Sequence, residues 1–523
     1  MIIRESTLKK GLPKETGSMC PECGKIVKAK IFEENGKVMI EKTCSDHGSF
    51  KDVYWSDVEL YLKAERFAHD GIGVINPKIK AEKECPFECG LCDLHLSHTC
   101  LANVDLTNRC NMHCPICFAN AAAAGYVYEP SYEQVVEMLK NLRSNRPVPT
   151  PAVQFSGGEP TIYPRFFDVI KKAKELGFAQ VQVATNGLKL TELDFCQKMK
   201  DSGMNTVYLQ FDGLNDEVYT QARGRKLLDV KMKAVENCRN VKPKPLSTVL
   251  VPTIVNGVND DQVGEILNFA VKNSDVIRSV NYQPVSFTGR IDKEEREKGR
   301  FTLTDLVNRL ESQTNFLKKD DFYPVPVVTP ISELISILAG EPKVAFTAHP
   351  HCGLATFLYI DNGNAVPVTR FMDIEGMFTK MMRMAEKLGK AGFLVRLLGK
   401  MKSGKSKKKA IQKNFEKYFG KYIYEDKLPK GLNITELFEN VFSDQSKESL
   451  GEFTWKTMMV GGMHFQDGYN YDIERVKRCV IHYATPDNRI IPFCAYNGGP
   501  TYRNEVEKKY SVPLDEWRKT HEG

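Results

Sequence analysis

"CNMHCPIC", residues 110–117, decides how this chain is read. Cys110, Cys114 and Cys117 stand in a C-x3-C-x2-C spacing. Three thiolates so placed suit three irons of a [4Fe–4S] cube and leave the fourth iron open for a substrate. The plainer alternative is a four-cysteine ferredoxin-type cluster that borrows Cys100. Residues 104–106 form a short strand that runs into this loop. Beyond it, strand patterns at 153–155, 181–185, 206–211, 248–253 and 279–284 alternate with helical ones at 131–142, 166–176, 192–201, 227–238 and 260–271. Ser131 and Gln134 look like a capping box for the first of these helices. Six strands separated by helices predict a parallel sheet with right-handed crossovers, an open six-stranded β/α barrel.

Other motifs fall at the predicted C-terminal strand ends, the face where barrel active sites form. "SGGEP" (156–160) follows the second strand and "ATNG" (184–187) the third. "QFDG" (210–213) ends the fourth, and residues 255–257 end the fifth. Phe118 follows the cysteines directly. In this combination, residues 104–290 resemble the radical S-adenosylmethionine (SAM) enzymes. The fold class implied is α/β, a partial (β/α)6 radical SAM barrel. The resemblance also implies that SAM binds the open iron and that Phe118 lies near its adenine. It places Gly157, Gly158 and Glu159 at the methionine amino group. Thr185 and Asn186 go to the ribose and carboxylate, with Gln210 and Asp212 in the same cofactor site. "QFDG" departs from the more usual serine-leucine-aspartate-glycine. The implied chemistry is one-electron cleavage of SAM to a 5′-deoxyadenosyl radical, which abstracts hydrogen from an unactivated carbon.

The rest of the chain adds metal sites. Fifteen cysteines in 523 residues, with no apolar signal core at the N-terminus, point to a reducing, cytoplasmic setting where clustered thiols mean metal. Residues 1–80 read as a metal-stapled module. Cys20, Cys23, Cys44 and His47 fit C-x2-C…C-x2-H around a hairpin turning at Asn35-Gly36. Structural zinc is the first expectation there and a rubredoxin-like iron the second. Residues 81–103 carry Cys85, Cys89, Cys92 and Cys100, enough for an auxiliary [4Fe–4S] cluster, with zinc as the alternative. The region 291–523 reads as mostly helical to about 450 and Gly-rich beyond. Its Cys352, Cys479 and Cys494 are candidates for a second auxiliary cluster, or else three buried thiols. Cys196 and Cys238 fall in helical patterns and read as ordinary buried thiols.

The net charge of +7 is too diffuse to predict nucleic-acid binding. Much of the excess sits in 371–410, where Met372, Met377, Phe378, Met381 and Leu388 recur at helical spacing among Lys and Arg, ahead of the basic "KMKSGKSKKKA". That segment reads either as a membrane-surface helix drawn to anionic headgroups or as a core-packing helix with a solvated face. Across most of its length the chain resembles the archaeal tetraether lipid synthases. "CPEC…CSDHG", "CPFECGLCDLHLSHTC" directly before "DLTNRCNMHCPICFANA", "HPHCG" and "IPFCAYN" carry the likeness. It implies C–C coupling of phytanyl chain ends of archaeal diether lipids, peripheral attachment to a membrane, and an electron donor such as ferredoxin or flavodoxin. Members also resemble radical enzymes that methylate 7,8-dihydro-6-hydroxymethylpterin, with methylene-tetrahydromethanopterin as a possible donor. A non-catalytic multi-cluster electron carrier is disfavoured, because a carrier has no use for "SGGEP" or "ATNG".

Overall fold

The structure is a computed structural model, described here for residues 3–121, 124–289, 296–361, 363–390, 417–432, 434, 456–499 and 502–521. At the N-terminus, β1 (Lys14–Met19), β2 (Ile26–Glu34), β3 (Lys37–Cys44) and β4 (Gly48–Trp55) make a four-stranded antiparallel sheet. The expected hairpin is present. Asn35 (φ 53°) and Gly36 (φ 75°) turn β2 into β3, both in the left-handed region that Asn-Gly tolerates.

The barrel follows. Strands β5 (Leu101–Thr107), β6 (Ala152–Gly157), β7 (Gln180–Thr185), β8 (Thr206–Gln210), β9 (Ser247–Val251) and β10 (Ile277–Pro284) pair in that order, all parallel. The six expected strands are therefore the six observed. The fifth was read as one run to 253 but stops at Val251, because Pro252 has no N–H for the ladder, and Thr253–Ile254 resumes separately. The Ser131–Gln134 capping box opens α1 (Tyr132–Arg143). One helix went unread: α2 (Asp216–Arg223), eight residues long, capped by Asn215 and ended by Gly224 at φ 77°. Side chains alternate along the strands. Val153, Phe155, Val181, Val183, Val207 and Leu209 are fully buried on the helix side. Asn103, Gln154, Gln182 and Tyr208 face the lumen.

The region beyond 290 differs from its sequence reading. It supplies β11 (Gly353–Asp361), β12 (Thr457–Met463) and β13 (Ile481–Ala484) to the same sheet. β12 runs parallel beside β10, and β13 parallel beside β5, so the C-terminal part flanks both edges of the six strands. "TMMVGGM" reads as a Gly-rich loop, yet its glycines are needed for close packing in a sheet. A Cβ on Gly461 would come within 2.5 Å of the Leu354 carbonyl oxygen, and one on Gly462 within 2.5 Å of a Leu306 methyl.

The basic amphipathic segment also differs. Helix α3 (Ile374–Lys390) turns Met377, Phe378, Met381 and Ala385 into a buried cluster with Val327, Leu334 and Phe371. Its apolar face is covered by the protein itself, the core-packing alternative. Residues 391–410, the rest of the expected membrane-facing segment, lie outside the described residues. No helix among the described residues is long and apolar enough to cross a membrane.

The N-terminal sheet docks on the loop that joins β12 to β13. The Arg300 guanidinium bridges Asp52 at 2.6 Å and Asp467 at 2.7 Å, all three side chains nearly inaccessible. Thr16 and Tyr54 donate to Asp472 at 2.7 and 2.9 Å. Arg300→Ala would leave two buried carboxylates without their cation. We expect a loss of about 3–5 kcal/mol in urea unfolding followed by tryptophan fluorescence; a change within 1 kcal/mol, roughly a surface effect, would show that this triad does not hold the modules together.

Candidate active site and metal centres

β5 ends in the cysteine loop, and the loop after β6 lies directly against it. Gly158 N–H donates to the Thr107 carbonyl at 2.7 Å and Glu159 N–H to the Arg109 carbonyl at 2.9 Å. The contact requires glycine. Gly157 has φ 125°, and a Cβ on Gly158 would sit 2.2 Å from the Arg109 oxygen. From the other side, Arg223 at the end of α2 donates to the Ile116 carbonyl at 2.7 Å and grips Asp212 through two bonds of 2.7 and 2.8 Å. So held, Cys110, Cys114, Cys117 and Phe118 all line one cavity of about 290 Å³ inside the barrel. Burial, and then the Glu159 charge, pushes the Cys110 thiol up to about 12. Burial also raises Cys114. A cationic iron would reverse that preference and hold them as thiolates. Three thiols from one loop, facing a common cavity, are the donor set of a [4Fe–4S] cluster with one open iron.

The remaining sequence-read positions divide into two groups. Gly157, Gly158, Glu159, Thr185, Asn186 and Gln210 all border the cavity. The Glu159 carboxylate, however, is turned into the protein. It accepts from the Thr185 hydroxyl at 2.8 Å, the Asn186 N–H at 2.9 Å and the Thr161 N–H at 3.2 Å, and so ties the "SGGEP" loop to the "ATNG" loop. Asp212 is fully buried behind the wall, on Arg223 and the Thr253 N–H, and acts as a brace. Lys231 was not singled out from sequence. Its ammonium is buried and donates to the Asn186 carbonyl at 2.5 Å and the Gln210 side-chain oxygen at 2.8 Å, with its pKa lowered to about 7 by burial. It joins the third and fourth strand ends beneath the cofactor site.

In the N-terminal sheet, Cys20, Cys23, Cys44 and His47 bring their ligand atoms within 4.8 Å of one another. Cys23 and Cys44 sulfurs are 3.8 Å apart, and His47 Nδ1 lies 3.8 Å from Cys20 and 3.6 Å from Cys44. A zinc–sulfur bond of about 2.3 Å in a tetrahedron demands a sulfur spacing of about 3.8 Å. The Asp46 N–H, then the His47 side chain, lowers the Cys44 thiol to about 6, which favours the metal-binding thiolate.

Known proteins fit this geometry. The radical SAM superfamily model matches residues 104–270, and that of the HMPTM N-terminal zinc ribbon domain matches residues 12–56. A 7,8-dihydro-6-hydroxymethylpterin dimethyltransferase of Methanocaldococcus jannaschii is 46% identical over 516 residues, 98% of each chain. The chain belongs to that family of radical SAM enzymes. A GTP 3′,8-cyclase of Clostridium acetobutylicum is 22% identical over 50% of this chain and 76% of that protein. Among solved structures, Streptococcus suis SuiB bound to S-adenosylmethionine aligns over 42% of this chain and 47% of that one, at 18% identity and a TM-score of 0.34. Methylornithine synthase aligns over 42% and 63%, at 17% identity and a TM-score of 0.34.

In this radical SAM enzyme the other cysteines gather differently from their order in sequence. Cys85, Cys89 and Cys92 border one small recess together with His95. Cys100 is not with them: its thiol points at the Ala345 carbonyl, 3.4 Å away, among Ala348 and Val480. The sixteen-residue run 85–100 reads as one ligand set only while its path is unknown, and β5 starts at Leu101, which draws Cys100 to the sheet edge. Cys352, Cys479 and Cys494, far apart in sequence, do converge. Burial raises the Cys479 thiol, as do Cys494 and Cys352 beside it. Cys479 also adds to the raised pKa of Cys89, whose largest cause is Cys85, so the two groups are neighbours. Arg475, fully buried, donates to Cys352 at 3.4 Å, and the Gln466 N–H donates to Cys494 at 3.4 Å. Cys196 and Cys238 are buried thiols, as read.

Cys114→Ala removes one of three iron ligands at a partly exposed loop position. We expect reductive cleavage of SAM to 5′-deoxyadenosine to be lost, with circular dichroism unchanged; a normal yield would remove Cys110, Cys114 and Cys117 from the catalytic role. At the N-terminal site the Cys44 thiolate persists above pH 6 and is lost as the pH falls through it. Metal held at pH 7.5 should therefore be released on acidification through about 6, as read by a chelating dye.

Proposed function

We propose that this enzyme methylates 7,8-dihydro-6-hydroxymethylpterin by radical chemistry, with methylene-tetrahydromethanopterin as the carbon donor. The observation that carries this reading is the 46% identity, along 98% of the chain, to a relative that bears that name. Bound SAM and its cluster supply a 5′-deoxyadenosyl radical at the cavity mouth. The chain's part is positioning and shielding. Cys110, Cys114 and Cys117 fix the cluster, and Lys231 holds Gln210 and the Asn186 backbone in place at the cofactor. Phe118, Phe465 and Phe493 form an aromatic wall that keeps water from the radical; the last two are stacked with centroids 3.8 Å apart. In this reading Cys85, Cys89 and Cys92 hold one auxiliary cluster and Cys352, Cys479 and Cys494 another, with zinc at Cys20, Cys23, Cys44 and His47. Ferredoxin or flavodoxin would deliver the electrons.

Coupling of archaeal diether lipids stands second. That same aromatic wall, with Met463 and Ile481, favours it, since hydrocarbon needs an apolar lining. Its membrane contact would fall on 391–410.

The two readings separate in one assay. The reduced, cluster-loaded enzyme is incubated anaerobically with SAM and either the pterin with methylene-tetrahydromethanopterin or diether-lipid vesicles. We expect mass spectrometry to find methylated pterin together with 5′-deoxyadenosine. Coupled lipid without any methylated pterin would overturn the first reading in favour of the second.

A further inference from the structure

The lumen holds a row of carboxamides that the cofactor chemistry leaves unused. Asn103 on β5 lies opposite Gln154 on β6, and Gln154 opposite Gln182 on β7. Their side chains form a directed chain. Gln182 donates to Gln154 at 2.7 Å, and Gln154 donates to Asn103 at 2.7 Å. Asn103 in turn faces the His482 carbonyl on β13 at 3.4 Å. All three border the cavity, whereas their strand neighbours Ala102, Val153 and Val181 are fully buried against the helices.

Parallel barrel strands ordinarily read as apolar runs on both faces. Amides there are costly unless matched, because each carries two N–H donors and an oxygen with two lone pairs. The chain uses one donor and one acceptor on Gln154, which leaves one N–H and one lone pair on that side chain. A hydrocarbon occupant would leave them unmet. The row also lies one pleat repeat, about 6.6 Å, below Ser156 and Ala184, hence beneath the strand ends that hold SAM.

We propose that Asn103, Gln154 and Gln182 form the specificity site for the substrate, reading the alternating donor and acceptor edge of a flat heterocycle of the pterin class. The inference rests on the pterin reading above and deepens it. Gln154 and Gln182 supply free N–H and oxygen positions in one plane, and Asn103 anchors the row to β13.

The test uses the full-length, cluster-loaded protein and the near-isosteric variants Gln154→Met and Gln182→Met. Titration calorimetry measures 7,8-dihydro-6-hydroxymethylpterin and, separately, SAM. We expect each variant to lose about tenfold or more in pterin affinity, the scale of a lost hydrogen bond with its partner left unmet, and less than about threefold in SAM affinity. Two variants on different strands guard against one that fails to fold. If wild type binds the pterin and both variants bind it equally well, the amide row is not the specificity site, while the pterin reading stands. Equal losses for SAM and pterin would make the row a structural feature and overturn the inference. Should wild type itself not bind the pterin, the reading falls and this inference with it.

Discussion

A Cβ on Gly158 would lie 2.2 Å from the Arg109 carbonyl oxygen, so the loop after β6 meets the cysteine loop through bare backbone. Much of the site depends on that approach. It sets the three thiols over the lumen and puts the Glu159 carboxylate where it can tie the second and third strand ends together. Arg223 completes the cradle from below by holding the Ile116 carbonyl. A buried guanidinium is tolerable there because Asp212 pairs with it in bidentate fashion. Glu159 and Asp212 thus act through their neighbours: one spaces loops, the other steadies an arginine.

What was legible in the sequence follows from how local each signal is. The cysteine spacing, the Asn-Gly hairpin and the Ser131–Gln134 box are set by a few consecutive residues, and all three sit where they were read. The six parallel strands were legible because alternation with helices repeats. Cys100 misled because nearness in sequence stood in for nearness in space. Cys352, Cys479 and Cys494 could be suspected but not placed, since nothing local brings residues 352 and 494 together. The amide row could have been found: "AVQFSGG" and "VQVATNG" both put glutamine between buried aliphatics two residues before the strand's last turn inward. Lys231 had no such signal. Its helix positions look like those of any solvated lysine until the fold buries it.

The Met-rich stretch at 371–388 shows why periodicity alone does not assign a partner. The same stripe that would suit a lipid surface suits a neighbouring helix and sheet, and here Met377 and Met381 are almost fully covered by Val327, Leu334 and Phe371. Area removed from water is the common driving force, and it does not distinguish one apolar neighbour from another. Geometry decides it.

The placing of β13 beside β5 has a consequence for biosynthesis. Leu101 pairs with Ile481, a separation of 380 residues. On a ribosome adding roughly 5–20 residues each second, about 20–80 s pass between the two strands leaving the exit tunnel. Throughout that interval the hydrogen-bonding edge of β5 has no native neighbour on its outer side. An open parallel edge is a template for pairing with another chain. The cysteines beside it are then also unshielded, since Cys85–Cys92 are covered by residues after 470. Iron–sulfur loading and protection of this edge therefore belong to the same late window, after the last sixty or so residues have been made.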